Sequence, residues 1–412
     1  MAVSKRHNDP KNTSRQTSTL FLLLCLVPLA HLSSTLYLPS LPAIAADLQT
    51  TTVAIRWTVT SFFLGFGSSQ LFLGYISDRF GRRRPLLIGL LIYTLASLGC
   101  LTVTNELQLI CLRLVQGFSI GIVPITVHAI FSETLSGKTL ARASSYNAMV
   151  HALPPMLAPA LGSYLQHYSY WQSNFIVLTA YALIMLIWAS YALSETRVYH
   201  TQTLLDSQIP IPNYLAMLRD RQFIIYSLGL TIAFAIIISF HIMAPFLLQY
   251  ELNISILDYG HYALLAGLAY LAGSYLFHHI SFIFNNTTIC KLNCWLIILA
   301  SLFLLALNQQ HHFTLYEFVL VMLVIFFAAG MIFPNMLAGA MAQFPHAAGT
   351  ASALFGGISL LGTSFISLLD AHISDNDPTH LAMICLVLTT LLLLLLHWLP
   401  TTKKQTLLSH QV

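Results

Sequence analysis

The chain has 412 residues, of which 57% are hydrophobic and only 8% charged, with a mean hydropathy of +0.74 and a formal net charge of +4. A water-soluble domain carries about a quarter charged residues, so a surface this apolar needs lipid as its solvent. The composition excludes a soluble enzyme, and the absence of a long basic run excludes a nucleic-acid binder.

A membrane-crossing helix needs about 20 mainly apolar residues. On that basis the first half is predicted to hold spans at 20–43, 53–76, 85–103, 107–131, 142–166 and 172–193. The second half is predicted to hold 223–249, 259–283, 290–308, 314–341, 348–371 and 379–399. Residues 1–19 form a polar tail carrying Lys5, Arg6, Lys11 and Arg15, and the apolar run behind it reads as a retained first helix rather than a cleaved signal. Residues 194–222, with Pro210 and Pro212, form the longest interior polar stretch and divide the spans into two bundles of six; 400–412 form a second tail. The expected fold is therefore an all-α membrane protein of twelve spans in two pseudo-repeat halves.

Basic residues set the orientation. With the N-terminus inside, sixteen of the eighteen Lys and Arg residues fall on cytoplasmic segments, as the positive-inside rule requires, so both tails are expected in the cytoplasm. Arg56 falls in an outer connection on this reading, together with acidic residues that include Asp47, Glu106, Asp370 and Asp377. Arg113 is then the one strong charge inside a span, and a charge at that depth usually faces a cavity or a partner. The six cysteines sit mostly in apolar stretches and read as small hydrophobic residues. Cys290 and Cys294 lack a companion ligand pair, so no metal and no cofactor is expected.

Between the second and third spans stand Gly74, Asp78, Arg79, Gly81, Arg82, Arg83 and Arg84 in one short run. Gly74 permits close helix packing and Gly81 a tight turn. Asp78 can accept from free amides at a helix N-terminus, and the arginines can pair with acidic groups or lipid phosphates. This run matches the pattern G-x-x-x-D-R-x-G-R-R, and here the sequence resembles the major facilitator superfamily. The resemblance implies a transporter, not an enzyme, in which this loop is a gate latch whose Asp78 meets the start of the eleventh helix. The corresponding loop of the second half, 277–286, lacks the Asp and Arg.

Three further stretches are similar to the drug-efflux branch named for bicyclomycin and chloramphenicol resistance. Tyr37, Pro39 and Pro42 match its Y-L-P-x-L-P pattern, Arg113, Gln116 and Gly117 match R-x-x-Q-G, and Pro159 and Gly162 match the antiporter motif of helix five. Ala158 and Ser163 replace two glycines of that last motif, while Pro154, Pro155 and Pro159 keep its bend. The branch has an Asp on helix one where this chain has Thr35. Its loss beside Arg113 leaves a net positive pocket and points to an anionic or zwitterionic substrate.

A proton carrier could be a histidine instead, and His31 and His151 start nearest the midplane, whereas His128 and His241 fall closer to the faces. Thr35, Tyr37, Arg113, Gln116, His31 and His151 are thus the candidate substrate and coupling residues, with Trp57, Tyr146, Tyr262, Asn335 and Phe355 as further cavity candidates. The expected activity is proton-linked export of a drug or metabolite, such as a siderophore, by a monomer in a bacterial-type inner membrane. The expected partners are protons, a small-molecule substrate and lipid. Uptake by proton symport is one alternative, and a His-ligated membrane redox protein is another.

Overall fold

A computed structural model describes residues 10–135, 137–195, 211–309, 314–344, 347–372 and 377–399, and among them there is no strand. The first half contains α1 (Pro10–Thr35), a 3-10 turn (Leu38–Ser40), α2 (Leu41–Asp47), α3 (Thr52–Phe80), α4 (Arg83–Gly99), α5 (Glu106–Ile120), α6 (Ile122–Thr134), α7 (Gly137–Tyr168) and α8 (Gln172–Ala192). A short α9 (Ile211–Arg219) leads into α10 (Arg221–Phe246), a π-turn (Leu247–Glu251), α11 (Ile256–Ile280), α12 (Asn286–Gln309), α13 (Leu315–Gln343), α14 (Ala348–His372) and α15 (Pro378–His397).

Each predicted span falls on one of these helices or on a broken pair. The breaks have local causes. Pro39 and Pro42 cannot donate to the preceding turn, so α1 gives way to a 3-10 turn and α2 restarts with Pro42 in its first turn. Pro245 likewise precedes the loosened turn that ends α10. Helix starts are set by side-chain caps. Thr51 accepts from the Ala54 amide at 3.2 Å, Asn105 from Gln108 at 3.0 Å and Asp220 from Phe223 at 2.7 Å. Helix α9 falls within the polar stretch 194–222 that divides the two sets of spans.

Among the described residues, ten helical segments are long and apolar enough to cross a membrane by length and composition. The short α4 and the polar-fronted α7 stand outside that set. Large apolar side chains such as Ile88, Leu95, Ile187 and Leu394 point outward and are at least 49% exposed, a surface that only lipid can cover.

The interior forms two large apolar cores, one from α1–α8 and one from α9–α15. Ile238, Ile242 and Phe246 of α10 pack into the first core and so tie the halves together. Helices α3 and α14 form the main seam. Thr60 and Ser367 hydroxyls are 2.8 Å apart, and Ser364 donates to the Thr60 carbonyl at 2.9 Å. Helices α7 and α11 form the second seam, where Gly260 packs on Ser163 and Tyr164 bonds His261 at 2.8 Å. Gln249 and Tyr250 also cross, donating to the carbonyls of Pro39 and Pro42, both at 2.9 Å.

All these ties lie toward the end of the bundle where α3 begins. At the other end, where residues 78–83 stand, the side chain of Asp78 is 60% exposed and open space surrounds Gly74 and Gly349. The described halves are thus sealed at the end where α3 begins, while at the other end Tyr214 of α9 lies near enough to Asp78 for the two to interact electrostatically.

The seam corrects two assignments. Arg56 and Asp370 read as charges of outer connections, but Arg56 is 0% exposed inside α3 and Asp370 is 1% exposed inside α14. Arg113 is therefore not the sole buried charge. His241, expected nearer a face, is 3% exposed and enclosed by Phe240 and Phe326.

Candidate functional site

The loop of residues 78–84 is built around Arg82. Its Nη1 lies 2.6 Å from Asp78 and 3.0 Å from the Ser77 hydroxyl, while Nε and Nη2 both donate to Glu133 at 2.9 and 2.7 Å. Burial disfavours the charge on Arg82, but Glu133 and Asp78 outweigh it and hold the guanidinium above its usual pKa. Gly81 turns the chain with φ +88°, and a side chain there would lie 2.4 Å from Glu195. That closeness has a use. Glu195 accepts from the backbone amides of Arg82 at 2.8 Å and Arg83 at 3.2 Å, filling the anion site at the start of α4. Arg83 fastens the same corner by donating to the Ser190 carbonyl at 2.7 Å.

The free amides at the start of α4 are thus taken by Glu195. Asp78 pairs with Arg82 and makes no described contact with α14, the helix expected to receive it. Arg79 stands over Phe80 at 5.6 Å and donates to the Tyr75 hydroxyl at 3.4 Å. Glu133 and Glu195 carry no motif, and nothing but their acidity in a basic loop region could have pointed to them.

Deeper in the first half, Arg113 is fully enclosed. Its Nη1 donates to Gln116 at 2.8 Å and its Nη2 to the Ser33 carbonyl at 2.9 Å. The Tyr37 and Phe62 rings flank the guanidinium at 4.3 and 4.2 Å. Gln116 passes the network on to Ser97 at 2.7 Å, and Tyr93 meets the Ser33 hydroxyl. Two π-faces and two neutral acceptors thus stabilise a cation that has no carboxylate beside it among the described residues. The side chain turns into the bundle and does not reach for an interface. Thr35 does not join it, because its hydroxyl donates to the His31 carbonyl at 3.0 Å. His31 is half-buried on α1. The side chains of His151 and Pro155 lie outside the described residues.

Gly162 lets α7 close on the end of α1, one turn after Pro159. A Cβ at Gly162 would lie 1.7 Å from the Leu36 carbonyl oxygen, so only glycine permits this approach. The remaining cavity candidates scatter. Asn335 ties α13 to α12 by donating to the Asn286 carbonyl at 2.7 Å, and Phe355 packs on Phe223. Trp57 rests on His372 at the sealed end, Tyr146 is exposed and Tyr262 lies against the second core.

This architecture recurs in solved structures. The crystal structure of a D-xylose-proton symporter matches with a TM-score of 0.77 at 15% identity, covering 94% of this chain and 99% of that one. At that identity the likeness is one of fold. The Major Facilitator Superfamily model matches residues 23–367.

The chain belongs to the Major Facilitator Superfamily.

Superfamily membership makes it a multi-pass membrane transporter rather than an enzyme and replaces the His-ligated redox reading. Among its relatives, multidrug resistance protein D of Escherichia coli (strain K12) is 28% identical, covering 96% of this chain and 98% of the relative. An uncharacterized MFS-type transporter, YdgK of Bacillus subtilis (strain 168), is also 28% identical, over 93% and 95%. A bicyclomycin resistance protein homolog of Haemophilus influenzae matches at 28% identity over 55% of this chain. The drug-resistance branch named by the helix-one, helix-four and helix-five motifs is thus represented among the relatives.

Proposed function

We propose that this protein exports a small molecule across a bacterial-type inner membrane, with protons as the coupled ion. The near full-length similarity to multidrug resistance protein D carries the direction. In this reading twelve spans form two bundles, 20–193 and 223–399, joined by a cytoplasmic 194–222 segment, and both termini are cytoplasmic. The basic end is then the inner end and the tied end of the seam the outer one, which favours an inward-facing reading of this state. Alternating access follows from the seam. Rocking the halves would break the Thr60–Ser367 and Tyr250–Pro42 ties and bring the start of α14 toward Asp78, which pairs with Arg82 in the present state.

Arg113, Tyr37 and Gln116 form the polar core nearest the expected binding region, and Thr35, His31 and His151 are the further candidates carried by α1 and α7. Its positive charge without a carboxylate favours a substrate with an anionic group. The working unit is a monomer.

The test is flux in proteoliposomes with the proton gradient imposed in each direction, using ethidium as a cationic probe and fluorescein as an anionic one. Export predicts substrate movement against an inward-directed proton gradient. Accumulation that requires an outward-acidic gradient would establish uptake instead.

A further inference from the structure

Thr35 removes the expected titratable group from helix one, so a proton-linked carrier needs one elsewhere. The seam supplies it. Asp370 of α14 and Arg56 of α3 are both buried where the halves close on each other. Ser239 of α10 donates its hydroxyl to Oδ2 of Asp370. The Arg56 guanidinium sits 5.0 Å from the centre of the Phe246 ring, and its charge and that of Asp370 act on each other across the seam. Three helices from two halves therefore converge on one carboxyl.

Coupling requires a group whose proton affinity changes when the carrier changes state. Asp370 meets that requirement by position. Its neighbours on α3 belong to the other half, so parting the halves at this end takes Arg56 away and lets water in. Closing them restores the cation and expels the water. Both changes act on the balance between charged and neutral carboxyl. Arg113 fails the same requirement. Its described partners all lie within its own half, so parting the halves leaves its surroundings unchanged.

The other groups around Asp370 are few. Cys385 faces it from α15, and α10 presents the Ser239 hydroxyl. From α3 the charged group is Arg56, with Thr60 one turn deeper against Ser367. His372 follows on the same helix but turns to Trp57, and His241 of α10 is enclosed by Phe240 and Phe326. Among the described residues, Asp370 is the carboxyl enclosed at this seam.

We infer that Asp370 binds the coupled proton, held in place by Ser239 and facing the buried Arg56 at the seam between the halves, which rests on the proton-linked reading above. The proton adds to a carboxylate oxygen from one side of the membrane and leaves to the other, with no other bond changed.

The test uses the full chain in lipid nanodiscs and infrared difference spectra between about pH 8 and pH 6, a range in which exposed carboxylates stay ionised. The wild type should show the carbonyl stretch of a carboxylic acid appearing as pH falls, and Asp370→Asn should lose that band. An unchanged band in Asp370→Asn overturns the assignment. Should that variant fail to fold, Ser239→Ala keeps the carboxyl and removes its donor, and it must move the midpoint of the band; an unmoved midpoint overturns the assignment equally.

Ethidium-driven and fluorescein-driven proton movement, read by a pH dye sealed in proteoliposomes, separates the two levels of the argument. If neither probe moves protons through the wild type while the band depends on Asp370, the proton-linked reading fails and the site stands. If the wild type moves protons and Asp370→Asn does so equally, Asp370 is not the coupling group.

Discussion

Gly81→Ala is the substitution whose cost follows most directly from the structure. Gly81 has φ +88° and ψ 174°, a backbone region essentially reserved for glycine, and forcing another residue there costs about 1–3 kcal/mol. The new Cβ would also sit 2.4 Å from a Glu195 oxygen. Glu195 must then leave the two amides it satisfies at the start of α4. The carboxylate is exposed, so each bond is worth the lower part of the usual range, about 0.5–1 kcal/mol. The sum is about 2–5 kcal/mol. Unfolding in mixed detergent micelles, followed by tryptophan fluorescence, measures it. A double-mutant cycle divides the two parts. In a Glu195→Ala background the clash is gone, and Gly81→Ala should cost only the backbone share, about 1–3 kcal/mol. Equal costs with and without Glu195 would refute the clash, and a cost below about 0.5 kcal/mol would refute the whole account.

Other expectations follow from neighbouring contacts. Asp78→Asn should abolish transport while the protein stays in the membrane, measured as vesicle flux against expression; wild-type flux would end the latch role. Arg113→Lys keeps the charge but not the fork that reaches both Gln116 and Ser33, so substrate affinity should fall about tenfold, as read by equilibrium binding. Tyr250→Phe removes one exposed tie across the sealed end, worth about 0.5–1.5 kcal/mol, and should raise the outward-open population about two- to tenfold. Spin-label distances across that end would report it, and an unshifted distribution would deny the tie any weight. Gly162→Ala pushes a methyl group into the Leu36 carbonyl and should destabilise the first half by about 1–3 kcal/mol in the same micelle unfolding assay.

Much of this protein was legible in one dimension. Apolar runs of spanning length place the helices because lipid tolerates no unpaired backbone, so hydropathy and helix coincide. The run from Gly74 to Arg84 names the superfamily because its residues meet one another locally: Asp78 and Arg82 are one helical turn apart and do pair. Arg113 was visible as a charge in an apolar stretch, although its two aromatic faces and the Ser33 carbonyl come from other helices.

Tertiary structure decided the rest. Glu133 and Glu195 join the loop from 51 and 113 residues away, with no spacing to announce them. Arg56 and Asp370 looked like ordinary charges near helix ends, because hydropathy reports how close a residue is to water along the chain. It says nothing about which side of the helix meets another half. Only the packing of α3 on α14 turns those two charges from loop residues into buried groups at the seam. Sequence determined that this chain crosses a membrane as a superfamily transporter; the meeting of its halves determined where a proton could be held.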